Sequence, residues 1–226
     1  MKSLRSILSL LIISFLFIHF ENALSGNNKE NNYADQIFIP ATIKNKIQTG
    51  DIVLRNGKGF ISDVFRQFSL KDKSYSHAGI ISIEDDKIFV YHILQGMEQK
   101  SEVSGQKSKD AGINESYLRK ELLESFCNSN NNSAYAIYRY DLSKNAKEKI
   151  IDKLESFSKK KIIFDSHFDL DTDSAMYCTE LVYKAIEAAS ENEHYLPYSI
   201  VEGNKYIAPD NLYLNPHAAL IYSRDY

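Results

Sequence analysis

One cysteine and two histidines are the residues of this sequence whose types and spacing best fit covalent chemistry. Cys178 lies where a helix with apolar periodicity is predicted to begin, in Met176-Tyr177-Cys178-Thr179-Glu180-Leu181. Unpaired N–H groups and the positive end of the helix dipole stabilise a thiolate at such a position, and the thiolate is the nucleophilic form. The sequence therefore predicts a reactive thiol at Cys178 that needs a base from elsewhere in the chain.

The base is predicted on a hairpin upstream of this helix. His77 opens the strand pattern Ser76-His77-Ala78-Gly79-Ile80, and His92 lies in the strand pattern that follows the acidic turn Glu84-Asp85-Asp86. Paired strands place side chains next to each other, so we expect His77 and His92 to be neighbours. This arrangement fits a base, His77, and a residue that orients it, His92. The alternative for His92 is a strand histidine with a local partner.

The remaining pattern mixes strands and helices. Strands are predicted after the Gly50-Asp51 turn and at residues 134–140 and 218–222, and helices at residues 59–68, 116–127 and 143–159. We therefore expect an α+β fold with an antiparallel sheet packed against the helix of Cys178. The polar, glycine-interrupted residues 95–112 predict a solvated loop, with a lid as the alternative.

The first 25 residues have the features of a secretory signal peptide. Two basic residues precede an apolar run from Ile7 to Phe20, and Ala23-Leu24-Ser25 fits a cleavage site. The run is shorter than the ~20 residues of a spanning helix. We expect cleavage near Ser25, export to the periplasm or the exterior, and no membrane span afterwards; an uncleaved anchor is the alternative.

The rest of the chain predicts one folded domain behind a short leader. The polar, Asn-rich residues 26–35 predict a flexible leader, and residues 36–226 suffice for a single domain with a sizeable core. The formal net charge is −3, which does not favour a nucleic-acid partner.

The two cysteines allow an alternative without catalysis. In an exported protein, Cys127 and Cys178 could form a disulfide, and the protein would then be a secreted binding module whose histidines serve packing. A single bridge adds little to a domain that already has a full core, so we favour free thiols.

The motifs together resemble the papain-like cysteine hydrolases of the NlpC type. In those proteins a cysteine helix comes first, followed by a Gly-Asp turn, a Ser-His-x-Gly-Ile strand and a polar residue on the next strand. Here Gly50-Asp51, Ser76–Ile80 and His92 come first and Cys178 comes last, so the order is circularly permuted. Permutation can preserve the geometry of a site. The chain is identified as a member of the permuted papain-like amidases of the YiiX/YaeF type, relatives of the lecithin:retinol acyltransferase-like proteins.

The resemblance implies an exported hydrolase without a cofactor that cleaves an amide or ester through an acyl-enzyme at Cys178. It assigns the base to His77 and the orienting role to His92. Cell-wall peptides and lipid acyl groups are the substrate classes implied, and a thiol acyltransferase of the same fold is the alternative. Three further residues are candidate substrate contacts: Asp51, Tyr177 and Glu180.

An acidic loop before the cysteine helix resembles a calcium site only in part. The aspartates of Asp169-Leu170-Asp171-Thr172-Asp173 and Glu180 have the spacing of an EF-hand loop, but Ser174 stands where that loop needs glycine. His167 has no second histidine at ligand spacing. We therefore predict no metal and keep calcium as the alternative.

Overall fold

A computed structural model describes residues 39–94, 118–160, 162–190 and 195–226 of the chain. The predicted signal peptide (residues 1–25), the predicted leader (residues 26–35) and the predicted loop at 95–112 lie outside these ranges. Within the ranges, every helix is too short or too polar to cross a membrane.

The centre of the fold is a six-stranded sheet in which every neighbouring pair is antiparallel. Its strands in chain order are β1 (Ile52–Gly57), β2 (His77–Glu84), β3 (Lys87–Ile93), β4 (Leu118–Leu122), β5 (Asn132–Tyr140) and β10 (Ala218–Asp225). They are arranged in the order β10-β5-β1-β2-β3-β4. Two short pairs complete the strands, namely β6 (Ile163–Phe164) with β7 (Ala175–Met176), and β8 (Ser199–Val201) with β9 (Asn204–Tyr206).

Among the helices of the described residues, two are long enough to cover a face of the sheet. The helices are α1 (Ala41–Lys44), α2 (Phe60–Arg66), α3 (Leu123–Phe126), α4 (Lys144–Lys159), α5 (Cys178–Ala189) and α6 (Pro209–Tyr213). The α4 helix starts where the Ser143 hydroxyl accepts a hydrogen bond from the Ala146 N–H at 3.1 Å, as an N-cap should. This mixture confirms the predicted α+β class.

Successive side chains of each strand point to opposite faces of the sheet. Apolar side chains are buried on both faces. On one face, Ile52, Leu54 and Ile80 belong to a core with the apolar sides of α4 and α5. On the other face, Val53, Ile81 and Val90 pack with α3 and the segment before β1. Burying a single Leu or Ile side chain stabilises a fold by about 1.5–3 kcal/mol. The helix that carries Cys178 is therefore fixed by the core.

The predicted hairpin of the two histidines is confirmed. Strands β2 and β3 pair with Ile80 opposite Tyr91 and Glu84 opposite Lys87. Asp85 and Asp86 form the turn with φ values of 47° and 61°, and positive φ at both central residues is the mark of a type I′ turn. The two-residue turn fixes the register of the histidine strands.

The helix predicted for residues 116–127 is wrong. Among the described residues of this segment, Leu118–Leu122 form the edge strand β4, and only Leu123–Phe126 are helical. The leucines at both ends of the strand fit helical spacing, but they pair with Ile93 and Phe89 of β3. Sheet pairing with a preformed neighbour outweighs local propensity here.

The close approach of β3 to Gly79 yields a prediction about stability. A Cβ at Gly79 would lie 2.5 Å from Val90 Cγ1 and 2.9 Å from the Tyr91 carbonyl oxygen. We expect Gly79→Ala to lower the free energy of unfolding by about 1–3 kcal/mol, since the backbone must shift. Urea denaturation measures this. The control is Ile83→Ala at a partly exposed position of the same strand, and an equal or larger loss in the control would contradict the prediction.

Candidate active site

Cys178 is the first residue of α5, and its side chain is buried with 5% exposure. Strand β7 leads into the helix through Tyr177, whose backbone N–H donates to Glu180 Oε2 at 3.2 Å. The backbone N–H groups of Ala78, Thr179 and Cys178 itself are near enough to the sulfur to lower its pKa. Ala78 directly follows His77 in the chain, so the thiol lies against the start of the histidine strand.

The thiol is neutral at rest, which differs from the thiolate expected from a helix start alone. Burial raises the pKa of Cys178 to about 11, although backbone hydrogen bonds and the charge of Arg55 act in the opposite direction. The loss of water around the sulfur therefore outweighs the helix terminus. A reaction at this sulfur would therefore require that the thiol lose its proton.

His77 and His92 are brought together as predicted. Nε2 of His77 lies 2.9 Å from Nδ1 of His92, and the two rings meet edge to face with centroids 5.1 Å apart. The Phe126 ring packs against both. Burial lowers the pKa of each histidine and the charge of Arg55 lowers it further, whereas Glu121 opposes the shift at His92. Both rings are therefore neutral near pH 7.

Glu121 is a site residue that the sequence interpretation missed. Its Oε1 lies 2.8 Å from Nε2 of His92, although the ring N–H is not fully aligned with the oxygen. The helix predicted for residues 116–127 includes Glu121, so the sequence pattern does not predict its contact with His92. A strand pattern at Leu118–Leu122 would have placed it one strand from His92.

Arg55 is the second residue missed. It lies directly opposite His77 in the pairing of β1 with β2. Its Nη1 donates to the Phe126 carbonyl oxygen at 2.9 Å, and its guanidinium carbon is 4.3 Å from the centre of the Phe126 ring. Arg55 thus brings a positive charge to the site, and this charge favours the deprotonated forms of Cys178 and His77.

The Cys178 thiol lies beside the backbone of Ala78, the residue that follows His77. His77 uses Nε2 for His92, so Nδ1 is the ring nitrogen available to Cys178. Within the described part of the chain, the Cys178 thiol and the His77 ring form no hydrogen bond with each other. A proton transfer between them would need a change of side-chain rotamer or a bridging group, as is common in apo sites.

Asp51 lies away from the histidines. Its buried carboxylate accepts hydrogen bonds from Arg139 Nε at 2.7 Å and Nη2 at 2.8 Å, and from the Gln48 N–H at 2.8 Å. It directly precedes β1, whereas Arg55 near the other end of that strand faces His77. Four residues of extended chain span about 13 Å. The structure therefore does not bring Asp51 to the predicted base.

Tyr177 and Glu180 flank Cys178, and both are buried in local contacts. The Tyr177 hydroxyl accepts the Ile207 N–H at 2.8 Å, and its ring packs on Phe168 with centroids 4.9 Å apart. Glu180 lies 3.0 Å from Lys184 Nζ. Burial raises the pKa of Glu180 to about 7, against the opposing effect of Lys184. Their contacts position the start of α5.

The acidic loop does not fit a calcium site. Asp165 accepts the N–H groups of His167 and Asp169 at 2.7 and 2.6 Å. Lys184 forms ion pairs with both Asp173 and Glu180, so its positive charge lies where the cation would need to bind. Across the described ranges, no three His, Cys, Asp or Glu side chains are grouped to hold a metal ion.

The two cysteines are free, and both are buried. Cys127 belongs to the core on the histidine face of the sheet, where burial raises its pKa. The disulfide on which the binding-module alternative depends is therefore not formed.

The contacts of Asp51 predict that this residue stabilises the fold and does not contact the substrate. We expect Asp51→Asn to lower the free energy of unfolding by about 2–3 kcal/mol, because Arg139 loses its buried partner. The folded variant should keep the wild-type KM. Urea denaturation and steady-state kinetics measure the two effects. Asp63→Asn makes the same change in an exposed pair with Arg66 and should shift stability by no more than about 0.5 kcal/mol. A raised KM in Asp51→Asn alone would show a substrate contact instead.

The neutral thiol predicts how alkylation depends on pH. In Cys127→Ala, the iodoacetamide rate at Cys178 should rise about tenfold per pH unit from pH 7 and level off near pH 11, because only the thiolate reacts. The rate is obtained by stopping the reaction at intervals and measuring the fraction of alkylated protein by intact-protein mass spectrometry. A plateau beginning below pH 8 would indicate a preformed ion pair with His77.

Comparisons with known proteins show the family and the fold of this chain. The family model described as permuted papain-like amidase enzyme, YaeF/YiiX, C92 family matches residues 46–221. A search of curated proteins found no match. Among solved structures, metalloprotein yiiX from Escherichia coli O157:H7 is similar, with 16% identity and a TM-score of 0.59 over 79% of this chain and 98% of that one. The acidic side chains described above do not fit a metal centre in this chain. The match over most of the length shows that this chain belongs to the permuted papain-like amidase family of the YaeF/YiiX type.

Proposed function

We propose that this protein is an exported cysteine hydrolase that cleaves an amide, or an ester, through an acyl-enzyme at Cys178. The observation that carries the proposal is the hydrogen-bonded pair of His77 and His92 at the strand start against which the Cys178 thiol lies. A nucleophile, a base and an orienting residue are the parts that acyl transfer by a thiol requires.

Proton transfer and attack are coupled in this mechanism. Because the thiol and His77 are both neutral at rest, Nδ1 of His77 takes the thiol proton as the sulfur attacks the substrate carbonyl carbon. The protonated ring then donates this proton to the leaving amine or alcohol. In the second half, His77 takes a proton from water as the water oxygen attacks the acyl carbon, the carbon–sulfur bond breaks to release the acid, and His77 returns the proton to the sulfur.

The oxyanion is stabilised by backbone N–H groups at the start of the helix and at the start of β2. The N–H groups of Cys178 and Ala78 already act on the sulfur, and they belong to two different elements. Donors fixed by a helix and a strand need no reorganisation when charge develops, which is the basis of oxyanion stabilisation.

An aromatic cluster near the nucleophile supports a substrate with an apolar group. Phe168 contacts Tyr177, the neighbour of Cys178, and also packs on Phe68 with centroids 4.8 Å apart. Phe65 extends this cluster on α2. We propose a peptide, amide or lipid acyl group as substrate. An acyltransferase reaction would differ only in the acceptor that replaces water.

Export is proposed from residues 1–25, whose pattern is that of a signal peptide. Expression of the full chain followed by amino-terminal sequencing of the exported protein tests it. A new amino terminus near residue 25 or 26 is expected, whereas retention of Met1 would favour an anchor.

Removal of the nucleophile or the base tests the mechanism. Cys178→Ala and His77→Ala should each lower kcat by at least about 10³-fold, because both act in the same step. Peptidoglycan fragments and phospholipids serve as substrates, and mass spectrometry detects an acyl adduct on Cys178.

Cys127→Ala is the matched control and should keep both the turnover and the adduct. Turnover that persists in Cys178→Ala would exclude the proposed acyl-enzyme.

A further inference from the structure

We infer that Glu121 is a positioning residue that sets the tautomers of both histidines, so that Nδ1 of His77 carries the lone pair that accepts the thiol proton. This inference deepens the proposed function and rests on it for the role of His77. The structure shows a linear chain of contacts from Glu121 Oε1 to His92 Nε2 at 2.8 Å, and from His92 Nδ1 to His77 Nε2 at 2.9 Å.

The first step concerns the charge of Glu121. Burial raises its pKa, but the contact with His92 and the charges of Arg55 and Arg119 lower it more, and the net shift is downward. An ionised carboxylate can only accept hydrogen bonds. Nε2 of His92 is fully buried and has Glu121 as its neighbour, so the favoured state places a proton on that nitrogen.

The second step follows from counting protons. A neutral imidazole carries one N–H, so His92 with a proton on Nε2 has a lone pair on Nδ1. That lone pair must accept the Nε2–H of His77 across the 2.9 Å contact. His77 then has its own lone pair on Nδ1, which is the form that can remove a proton from Cys178.

The third step shows why the histidine pair alone is insufficient. The same 2.9 Å contact could be made with the proton on His92 Nδ1 and the lone pair on His77 Nε2. His77 would then carry its proton on Nδ1 and could not act as base toward the thiol. An acceptor at the far end of the pair, Glu121, distinguishes the two arrangements.

Nitrogen-15 NMR of the histidine rings in the free full-length protein tests the inference directly. We expect His77 and His92 both to carry their proton on Nε2 near pH 7. In Glu121→Met, which keeps the side-chain length and removes the acceptor, both rings should shift toward the Nδ1–H form. We expect kcat to fall about 10–100-fold with KM within about twofold.

Glu124→Met is the matched control. It removes the same charge three residues away, where Glu124 pairs with Lys44, and it should leave the tautomers and kcat unchanged. A merely structural role of Glu121 would alter thermal stability in Glu121→Met without changing the tautomers.

The inference is overturned if wild-type His77 carries its proton on Nδ1, or if Glu121→Met keeps both wild-type tautomers and wild-type kcat. The wild-type spectrum decides even where Glu121→Met does not fold. The spectrum needs no substrate, so it is independent of the test of the proposed function, which fails if Cys178→Ala retains turnover.

Discussion

Burial of the α5 amino terminus against the six-stranded sheet is the constraint on which the rest of the site depends. It removes water from Cys178, while Phe126 of α3 packs on both histidines from the other face, and this desolvation keeps the thiol and the two rings uncharged. A neutral site can be buried without the penalty of isolated charges. In the proposed reaction, charge appears only when the proton moves, and the backbone N–H groups and Arg55 lie where they can stabilise it.

The hairpin of β2 and β3 fixes the positions of His77 and His92 relative to each other. The two-residue turn at Asp85 and Asp86 fixes the register, and the absence of a side chain at Gly79 lets the next strand approach closely. Phe126 then packs on both rings from α3. The histidine pair is therefore held by sheet geometry and packing, which limits the orientations that each ring can adopt.

Circular permutation is compatible with this construction because the site depends on contacts between elements and not on their order in the chain. The histidine strand lies in the middle of the sheet, and the nucleophile helix packs on one face from the carboxyl-terminal part of the chain. Moving the cysteine helix to the end changes the connections at the surface and leaves the core contacts unaltered.

Local sequence patterns specify a first group of features of this protein. The hairpin of His77 and His92, the helix that begins at Cys178 and the α+β class follow from strand alternation, turn residues and helical spacing over short stretches. The permuted family also follows from motifs within single elements. Local propensity does not distinguish a helix from a strand at residues 118–122, because the leucines of this segment fit both. Pairing with β3 makes the segment strand β4.

The neighbours of these residues depend on tertiary packing. Glu121 reaches His92 because β4 pairs with β3, and Arg55 faces His77 because β1 pairs with β2. The neutral state of Cys178 depends on how much water the packed core removes, which no local pattern specifies. Asp51, which belongs to the Gly50-Asp51 turn, forms an ion pair with Arg139. Sequence identifies chemical groups, whereas strand pairing and desolvation fix their partners and their charge.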